Sequence, residues 1–372
     1  MTSRERLLTA LRGRQPDRVP VTMYECSPLN DDWFCREPSY APLVELERAQ
    51  GDIFVWPPYD VPLLLGGAER HHAERRTEPD GTIFTTTTID TPKGPLRAVS
   101  KREPSLMTHW SIEPFIKDDA DVARVLSIPL APISEQGPAL RARAARLGDA
   151  GVFLFGIGDA IGHVVGLFDY EAFARRCVKD DGPIRALLEK AQELVLRGIR
   201  VLGGTMRDAV FRLWGPEYCG APLLNPRIYF KRYVVEQDRA ATELIHATGN
   251  LSIIHCHGRL RALLEMIAAT GADGLEPIEM LPLQTADVTL ADVKERIGDR
   301  LCLLGGMPAL TLERGTPDDV RAQVRQSIAE GAAGGGFIFL PTSTPFMVPL
   351  TPQCLENARA YYDAVHTYGV YP

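Results

Sequence analysis

Residues 301–340 read LCLLGGMPALTLERGTPDDVRAQVRQSIAEGAAGGGFIFL and contain a strand, a helix and a second strand in one run. The segments 301–304 (LCLL) and 336–340 (GFIFL) are continuously apolar, which is typical of strands covered on both faces. Between them, Thr316-Pro317-Asp318 predicts the start of a helix over residues 318–330, because a capping threonine and a first-turn proline favour a helix N-terminus. This order predicts a parallel βα unit.

The same alternation recurs along the rest of the chain. We predict strands at residues 18–24, 52–56, 152–155, 209–214, 251–255, 274–277, 301–304 and 336–340. Further amphipathic helices are predicted at 187–202, 230–248 and 260–270. Eight strand–helix units predict a (β/α)8 TIM barrel, formed by a single domain over residues 1–372. An open doubly wound sheet is the alternative, although no glycine fingerprint follows the first strand.

One segment departs from the alternation. Residues 79–101 are rich in threonine, with turn signals at Asp80-Gly81 and Pro92-Lys93-Gly94. We therefore expect a β-hairpin inserted after the second strand. A structural flap and a lid over the site are both open interpretations.

Composition excludes several classes of protein. The chain has 372 residues, 45% hydrophobic and 24% charged, with a net charge of −7, which argues against disorder and against nucleic-acid binding. Its seven scattered cysteines lack a CxxC pair and indicate reduced thiols. We find neither a signal-peptide pattern nor an apolar stretch of membrane-spanning length, and we expect a cytoplasmic enzyme without membrane association.

The ends of the predicted strands carry the candidate functional residues, because barrel enzymes place their sites there. His255 and His257 end the fifth strand, two residues apart, so their side chains point to one side. Glu217 and Glu279 follow the neighbouring strands. Two imidazoles and one or two carboxylates predict a zinc site. A hydrogen-bonded histidine pair, a capping Glu217 and a rim salt bridge of Glu279 are the structural alternatives.

Other strand ends supply further candidates. Asp159 follows a Gly-x-Gly and either positions a substrate or caps a helix. The remaining predicted substrate contacts are Glu25, Cys256, Met307 and Ser343.

Nearly the whole chain resembles the uroporphyrinogen decarboxylase superfamily. The resemblance rests on RERLLTALRGRQPDRVPV, on GDRLCLLGGMPALTLERGTPDDVRAQV and on the C-terminal GGGFIFLPTSTP with LTPQCLENARAYYDA. It implies an eight-stranded barrel and suggests a homodimer. The decarboxylases of that superfamily have an arginine-rich segment after the first strand, where this chain has MYECSPLN. The activity of a true uroporphyrinogen decarboxylase is therefore disfavoured.

The second branch of the superfamily consists of zinc methyltransferases that exchange methyl groups with corrinoid proteins. The resemblance implies that His255 and His257 match the His-x-Cys zinc motif of the thiol-specific members. The late cysteine ligand of those members is not found at residues 342–344. Demethylases of aryl methyl ethers use glutamates and a histidine, and this chain looks closer to them. Glu236 and Cys256 remain alternative ligands.

These observations predict a zinc-dependent methyltransferase of the demethylase type. It would move a methyl group from a small, O-methylated substrate to a corrinoid (cobalamin) held by a separate partner protein. Imidazole and carboxylate ligands leave zinc a hard Lewis acid suited to oxygen, and Asp159 or Tyr218 would supply a proton. A metal-dependent decarboxylase or lyase acting on a small organic acid is the alternative function, and a non-catalytic binding protein is the third.

Overall fold

The computed structural model describes residues 1–29, 32–61, 64–104, 106, 108–222 and 224–371. Its strands, in chain order, are β1 (Ile53–Val55), β2 (His71–Thr77), β3 (Ile83–Ile89), β4 (Leu96–Arg102), β5 (Trp110–Glu113), β6 (Gly151–Phe155), β7 (Val210–Trp214), β8 (Leu251–His255), β9 (Gly274–Ile278), β10 (Cys302–Met307) and β11 (Phe337–Pro341). Seven of the eight predicted strands are present, within a few residues of their predicted bounds.

The α-helices lie mainly between these strands. They are α1 (Ser3–Leu11), α2 (Trp33–Arg36), α3 (Ala41–Gln50), α4 (Asp119–Ser127), α5 (Gly137–Leu147), α6 (Ala160–Val165), α7 (Tyr170–Lys179), α8 (Gly182–Gly203), α9 (Glu236–Ala247), α10 (Leu264–Ala268), α11 (Leu290–Ile297), α12 (Ala309–Arg314), α13 (Pro317–Gly331) and α14 (Pro352–Tyr368). The helix predicted at 230–248 begins instead with the π-helical turn Lys231–Val235 before α9.

The main sheet is parallel and has the strand order β1-β6-β7-β8-β9-β10-β11. Most of its residues are buried on both faces, as the continuous apolar segments predicted. This α/β architecture is consistent with a TIM-like barrel. Because all seven strands run the same way, their carboxyl ends meet at one end of the sheet.

The predicted first strand, residues 18–24, is not a regular strand. It makes a single parallel bridge between Val21 and Phe339 of β11. The Thr22 N–H donates to the Phe339 carbonyl at 3.1 Å, and the Asp52 N–H donates to the Val21 carbonyl at 2.6 Å. This segment therefore joins the two edges of the curled sheet. Pro20 supplies no N–H, which explains why a continuous ladder does not form.

A second, antiparallel sheet follows β1 and has the order β2-β3-β4-β5. The hairpin expected at 79–101 corresponds only to the middle of this larger sheet. The two turn signals mark successive turns, since Asp80-Gly81 joins β2 to β3 and the Pro92–Gly94 turn joins β3 to β4. Pattern reading missed β2 because its sequence, HHAERRT, is charged and exposed throughout and has no apolar alternation.

Two further predictions concern the cysteines and membrane-spanning segments. All seven cysteines are free thiols, and six of them are buried. Within the described residues, no helix combines the length and apolar character needed to span a bilayer.

Candidate functional site

A polar pocket of about 390 Å³ lies at the carboxyl ends of the parallel strands. It is lined by Tyr24, Glu25, Arg212, Trp214, Glu217, His255, His257, Thr342 and Ser343. Five predicted site residues, Glu25, Glu217, His255, His257 and Ser343, therefore meet in one place. They come from four distant parts of the chain because neighbouring parallel strands end side by side.

The two histidines face each other at the end of β8. Their ring centroids are 4.6 Å apart, and the rings stand nearly perpendicular. The Nδ1 of His257 lies 2.8 Å from Glu279 Oε1. A carboxylate only accepts, so Nδ1 of His257 donates in this contact. Glu279 is not among the residues that line the pocket, and in this arrangement it orients His257.

Arg212 is the central residue that the sequence analysis missed. It lies within β7, is 7% exposed, and forms ion pairs with Glu25 and Glu276. Its guanidinium also contacts the Tyr24 hydroxyl and lies 2.7 Å from Nδ1 of His255. A buried charged residue requires partners. The arginine in VFRLW, inside an apolar strand, is the signal that could have identified it.

The same arginine fixes the protonation of His255. Nδ1 of His255 lies 2.7 Å from Nη2 of Arg212, which can only donate, and 3.2 Å from Oε1 of Glu276, which accepts; the shorter contact favours Nδ1 as an acceptor, with the proton of the neutral ring on Nε2. Burial, followed by the charge of Arg212, lowers the pKa of His255 to about 4. The pocket therefore presents a neutral imidazole from His255 beside the ring of His257.

The acids around the pocket differ in protonation. Burial alone would raise the pKa of Glu276, but the charge of Arg212 and the contact with His255 lower it below the ordinary value. Burial raises the pKa of Glu217 and of Glu25. Glu217 lines the pocket without an arginine partner among the described ion pairs, so burial favours its protonated form relative to that of an exposed glutamate.

The backbone around the pocket is tightly constrained at two positions. Tyr24 has a φ of 56°, a left-handed conformation that bulky residues rarely adopt and that often marks functional sites. Gly215, before Glu217, has a φ of 128°, and a Cβ there would lie 2.4 Å from Asp159 Oδ1. A side chain at position 215 would clash with Asp159 and strain the backbone. Only glycine therefore allows the turn that places Glu217 at the pocket.

Asp159 and Tyr218, the predicted proton donors, lie outside the pocket lining. Asp159 caps α6 by accepting from the Gly162 N–H at 2.7 Å, and it is buried. Burial, and then the nearby Asp238, raise its pKa well above the usual range. Tyr218 lies in the 3₁₀ turn Pro216–Cys219, where its carbonyl accepts from Tyr170. The capping alternative describes Asp159 better than a role in contact with substrate.

Three other predicted residues also fail to line the pocket. Cys256 and Met307 are fully buried, and Cys256 points away from its histidine neighbours, as expected from strand alternation. Glu236 lies in the first turn of α9 and pairs with Arg239 on the surface. Its helical position removes it from the strand ends.

The side chains as arranged do not fit a zinc ion. Among the described residues, no three His, Cys, Asp or Glu side chains are grouped so that they could hold a metal. The Arg212 charge beside His255 also opposes a second cation. Zinc therefore stays a prediction.

Comparison with known proteins gives matches of two kinds. A uroporphyrinogen decarboxylase from Pseudoalteromonas translucida (strain TAC 125) is 32% identical over 110 residues, which cover 28% of this chain and only 27% of that protein. A solved methyltransferase from Methanosarcina mazei is 18% identical over 99% of both chains, with a TM-score of 0.61. At that identity the second match supports the fold.

The family assignment rests on a longer region. The sequence model of the uroporphyrinogen decarboxylase (URO-D) family matches residues 168–368. That region is more than half of the chain and contains Arg212, Glu217, both pocket histidines and Ser343. The barrel-like sheet and its strand-end pocket agree with this match, and the chain belongs to the uroporphyrinogen decarboxylase family.

Proposed function

We propose that this chain is a methyltransferase that takes a methyl group from a small O-methylated molecule. The acceptor would be a corrinoid carried by a separate protein. The proposal is supported by the shared fold with a protein described as a methyltransferase. It is also supported by the segment MYECSPLN, which lacks the arginines expected for binding a porphyrinogen.

The observation that carries the proposal is the complementary set of polar groups in the pocket. The favoured tautomer of His255 offers an N–H donor, while Glu217 is a half-buried carboxyl group whose pKa is raised by desolvation. An ether oxygen is a hydrogen-bond acceptor, and it needs a proton once its methyl group leaves. The pocket supplies both a donor for the bound ether and a proton for the departing oxygen.

In the proposed reaction, His255 holds the ether oxygen through Nε2–H. A reduced corrinoid of the partner protein, when bound, would supply the nucleophile for the methyl group. As the C–O bond breaks, its electron pair stays on oxygen, which receives the Glu217 proton. Glu217 becomes a carboxylate, and the product is an alcohol or phenol. Arg212 keeps His255 neutral and oriented throughout, since its other donors are engaged by Glu25 and Glu276.

Methyl transfer from candidate methyl ethers to reduced cobalamin, followed by absorbance, tests this function. We expect Glu217→Gln to lower the rate about 10²-fold or more, as for loss of a general acid. His246→Ala, in a surface pair with Asp273, is the matched control for histidine changes and should be active. Failure of the wild-type protein to methylate cobalamin from any ether would contradict the proposal.

Metal analysis of the purified protein tests zinc separately. Stoichiometric zinc that is lost in His257→Ala but kept in His246→Ala would support the zinc prediction. Active protein without zinc would refute it and leave the methyltransferase proposal intact.

A second candidate function has its own supporting observation. Arg212 lines the pocket and pairs there with Glu25, and a substrate carboxylate would take the place of Glu25 in that pair. A decarboxylase or lyase acting on a small organic acid would use this arginine. Release of carbon dioxide from candidate acids, without methyl transfer, distinguishes this function from the first.

A further inference from the structure

A second cavity of about 270 Å³ lies beside the polar pocket. The indole ring of Trp214, the last residue of β7, lines both cavities. Helix α8 forms another wall with Ala191, Leu194 and Val195, which share one helix face because of their spacing. Tyr59 and Val61, in the segment after β1, line the cavity as well.

The polar atoms of the aromatic side chains in this cavity already have hydrogen-bond partners within the protein. The Tyr59 hydroxyl donates to the Gly156 carbonyl at 2.8 Å, and the Trp214 indole N–H donates to the same carbonyl at 3.1 Å. The His163 ring contacts the Ile157 carbonyl at 2.9 Å through Nε2. Burial lowers the pKa of His163, so that ring is uncharged at neutral pH. The walls therefore offer apolar contact and few directional polar ones.

The cavity is also preformed. A Cβ on Gly158 or Gly162 would lie within 3 Å of the Trp214 ring, so the indole packs directly on the backbone. The His163 and Trp214 rings meet edge to face at 5.0 Å. Two hydrogen bonds to Gln136, at 2.7 and 2.6 Å, hold the backbone of Asp60 next to Tyr59. A cavity fixed in this way binds a ligand with little ordering cost.

Size and charge define the class of ligand. A protein cavity of about 150 Å³ with apolar walls binds benzene, so this one has room for a substituted ring. The Asp60 carboxylate is the charged group of the lining, and it disfavours an anionic ligand.

We propose that this cavity is a binding site for an uncharged apolar ring, separate from the polar pocket and in contact with it through Trp214. Ring binding at this site is independent of methyl transfer. None of the described residues that line the cavity is among the groups proposed to act on the ether oxygen. The ring belongs either to the substrate of the polar pocket or to an independent small molecule.

Titration with toluene, followed by saturation-transfer NMR and tryptophan fluorescence, tests the proposal on the full chain. We expect toluene to bind and benzoate, the same ring with a negative charge, to bind at least about tenfold more weakly. Ala191→Leu, on α8, and Val61→Phe, in the segment after β1, enlarge side chains that line the cavity and should each weaken toluene binding about tenfold or more. Ala174→Leu, on α7 outside the cavity lining, is the matched control and should bind normally.

Absence of toluene binding, or equal binding by the wild-type protein and a folded cavity-filling variant, would overturn the proposal. Phenol distinguishes the two sources of the ring. Weaker phenol binding in His257→Ala, with unchanged toluene binding, shows a ligand that spans both cavities. Unchanged binding of both phenol and toluene in His257→Ala shows that the ring belongs to an independent ligand. Because these measurements involve no methyl transfer, they separate failure of this inference from failure of the proposed function.

Discussion

Arg212 shows how one residue can determine the chemistry of its neighbours. Its side chain is surrounded by Glu25, Glu276, Tyr24 and His255, and it stacks 5.1 Å from the Trp56 ring. The two carboxylates offset the cost of burying the charge. What remains is a neutral imidazole whose Nδ1 and Nε2 lie 2.7 and 3.5 Å from Nη2 of Arg212. His255 therefore acts as a hydrogen-bond donor instead of a cation.

The pKa of His255 gives a stability prediction. Below a pH of about 6.5 the unfolded chain protonates this histidine, whereas the folded chain keeps it neutral down to a pH of about 4. The unfolded state then binds more protons, so the free energy of unfolding must fall as the pH is lowered through this window. We expect His255→Asn, which cannot be protonated, to lose that part of the pH dependence.

Denaturant titrations of both proteins between pH 4 and 7 measure how the free energy of unfolding depends on pH. Parallel pH profiles for the two proteins would contradict the assigned protonation of His255.

At the scale of elements, the ends of strands and helices carry both the function and the local stability. Helix α13 begins with a capping box in which the Thr316 hydroxyl accepts from the Asp319 N–H at 3.2 Å. The Asp319 carboxylate in turn accepts from the Thr316 N–H at 2.8 Å. This pattern was readable in the sequence because both partners lie within one helical turn.

Removal of the Thr316 cap should therefore destabilise α13. We expect Thr316→Ala to lower the free energy of unfolding by about 1 kcal/mol, because the first-turn N–H groups lose an acceptor. Urea denaturation measures the change. Thr367→Ala, near the end of α14 where the hydroxyl donates to the Asp363 carbonyl, is the matched control. An equal loss in the control would show that the cap has no special role.

At the scale of the whole molecule, the curled sheet is held closed by a buried charge. Asp52 precedes β1, is fully buried, and pairs with Arg6 at 2.6 Å and Arg18 at 2.7 Å. It also accepts from the Val21 N–H at 3.1 Å. One carboxylate thus ties α1, the irregular first segment and β1 together, at the point where a regular ladder is missing.

Asp52→Asn should consequently destabilise the whole molecule. We expect a loss of about 3 kcal/mol in the free energy of unfolding, because two arginines lose a buried counter-charge. Asp208→Asn is the matched control, since Asp208 pairs with Arg4 and Arg12 at the surface. That change should cost less than about 1 kcal/mol. Chemical denaturation of both variants compares them, and similar losses would contradict the role given to Asp52.

The sequence alone determined those features that depend on local periodicity. Apolar segments and helix caps predicted seven strands of the parallel sheet and the helices α8, α9, α10 and α13, and strand alternation placed His255 and His257 on one side. The rule that strand ends meet then brought Glu25, Glu217 and Ser343 to the same pocket. The four-stranded second sheet was underestimated because its first strand, β2, has no apolar pattern.

Only the tertiary structure decided what the pocket residues do. Arg212 contacts Tyr24 across 188 residues of sequence and Glu276 across 64, and no periodicity encodes such contacts. These contacts depend on which strands are neighbours in the sheet and on how deeply each side chain is buried. That packing places Asp159 at the N-terminus of α6, where it caps the helix. It also makes Trp214 part of the lining of two cavities. Burial, which local sequence does not determine, then set the pKa of His255 and of Glu217.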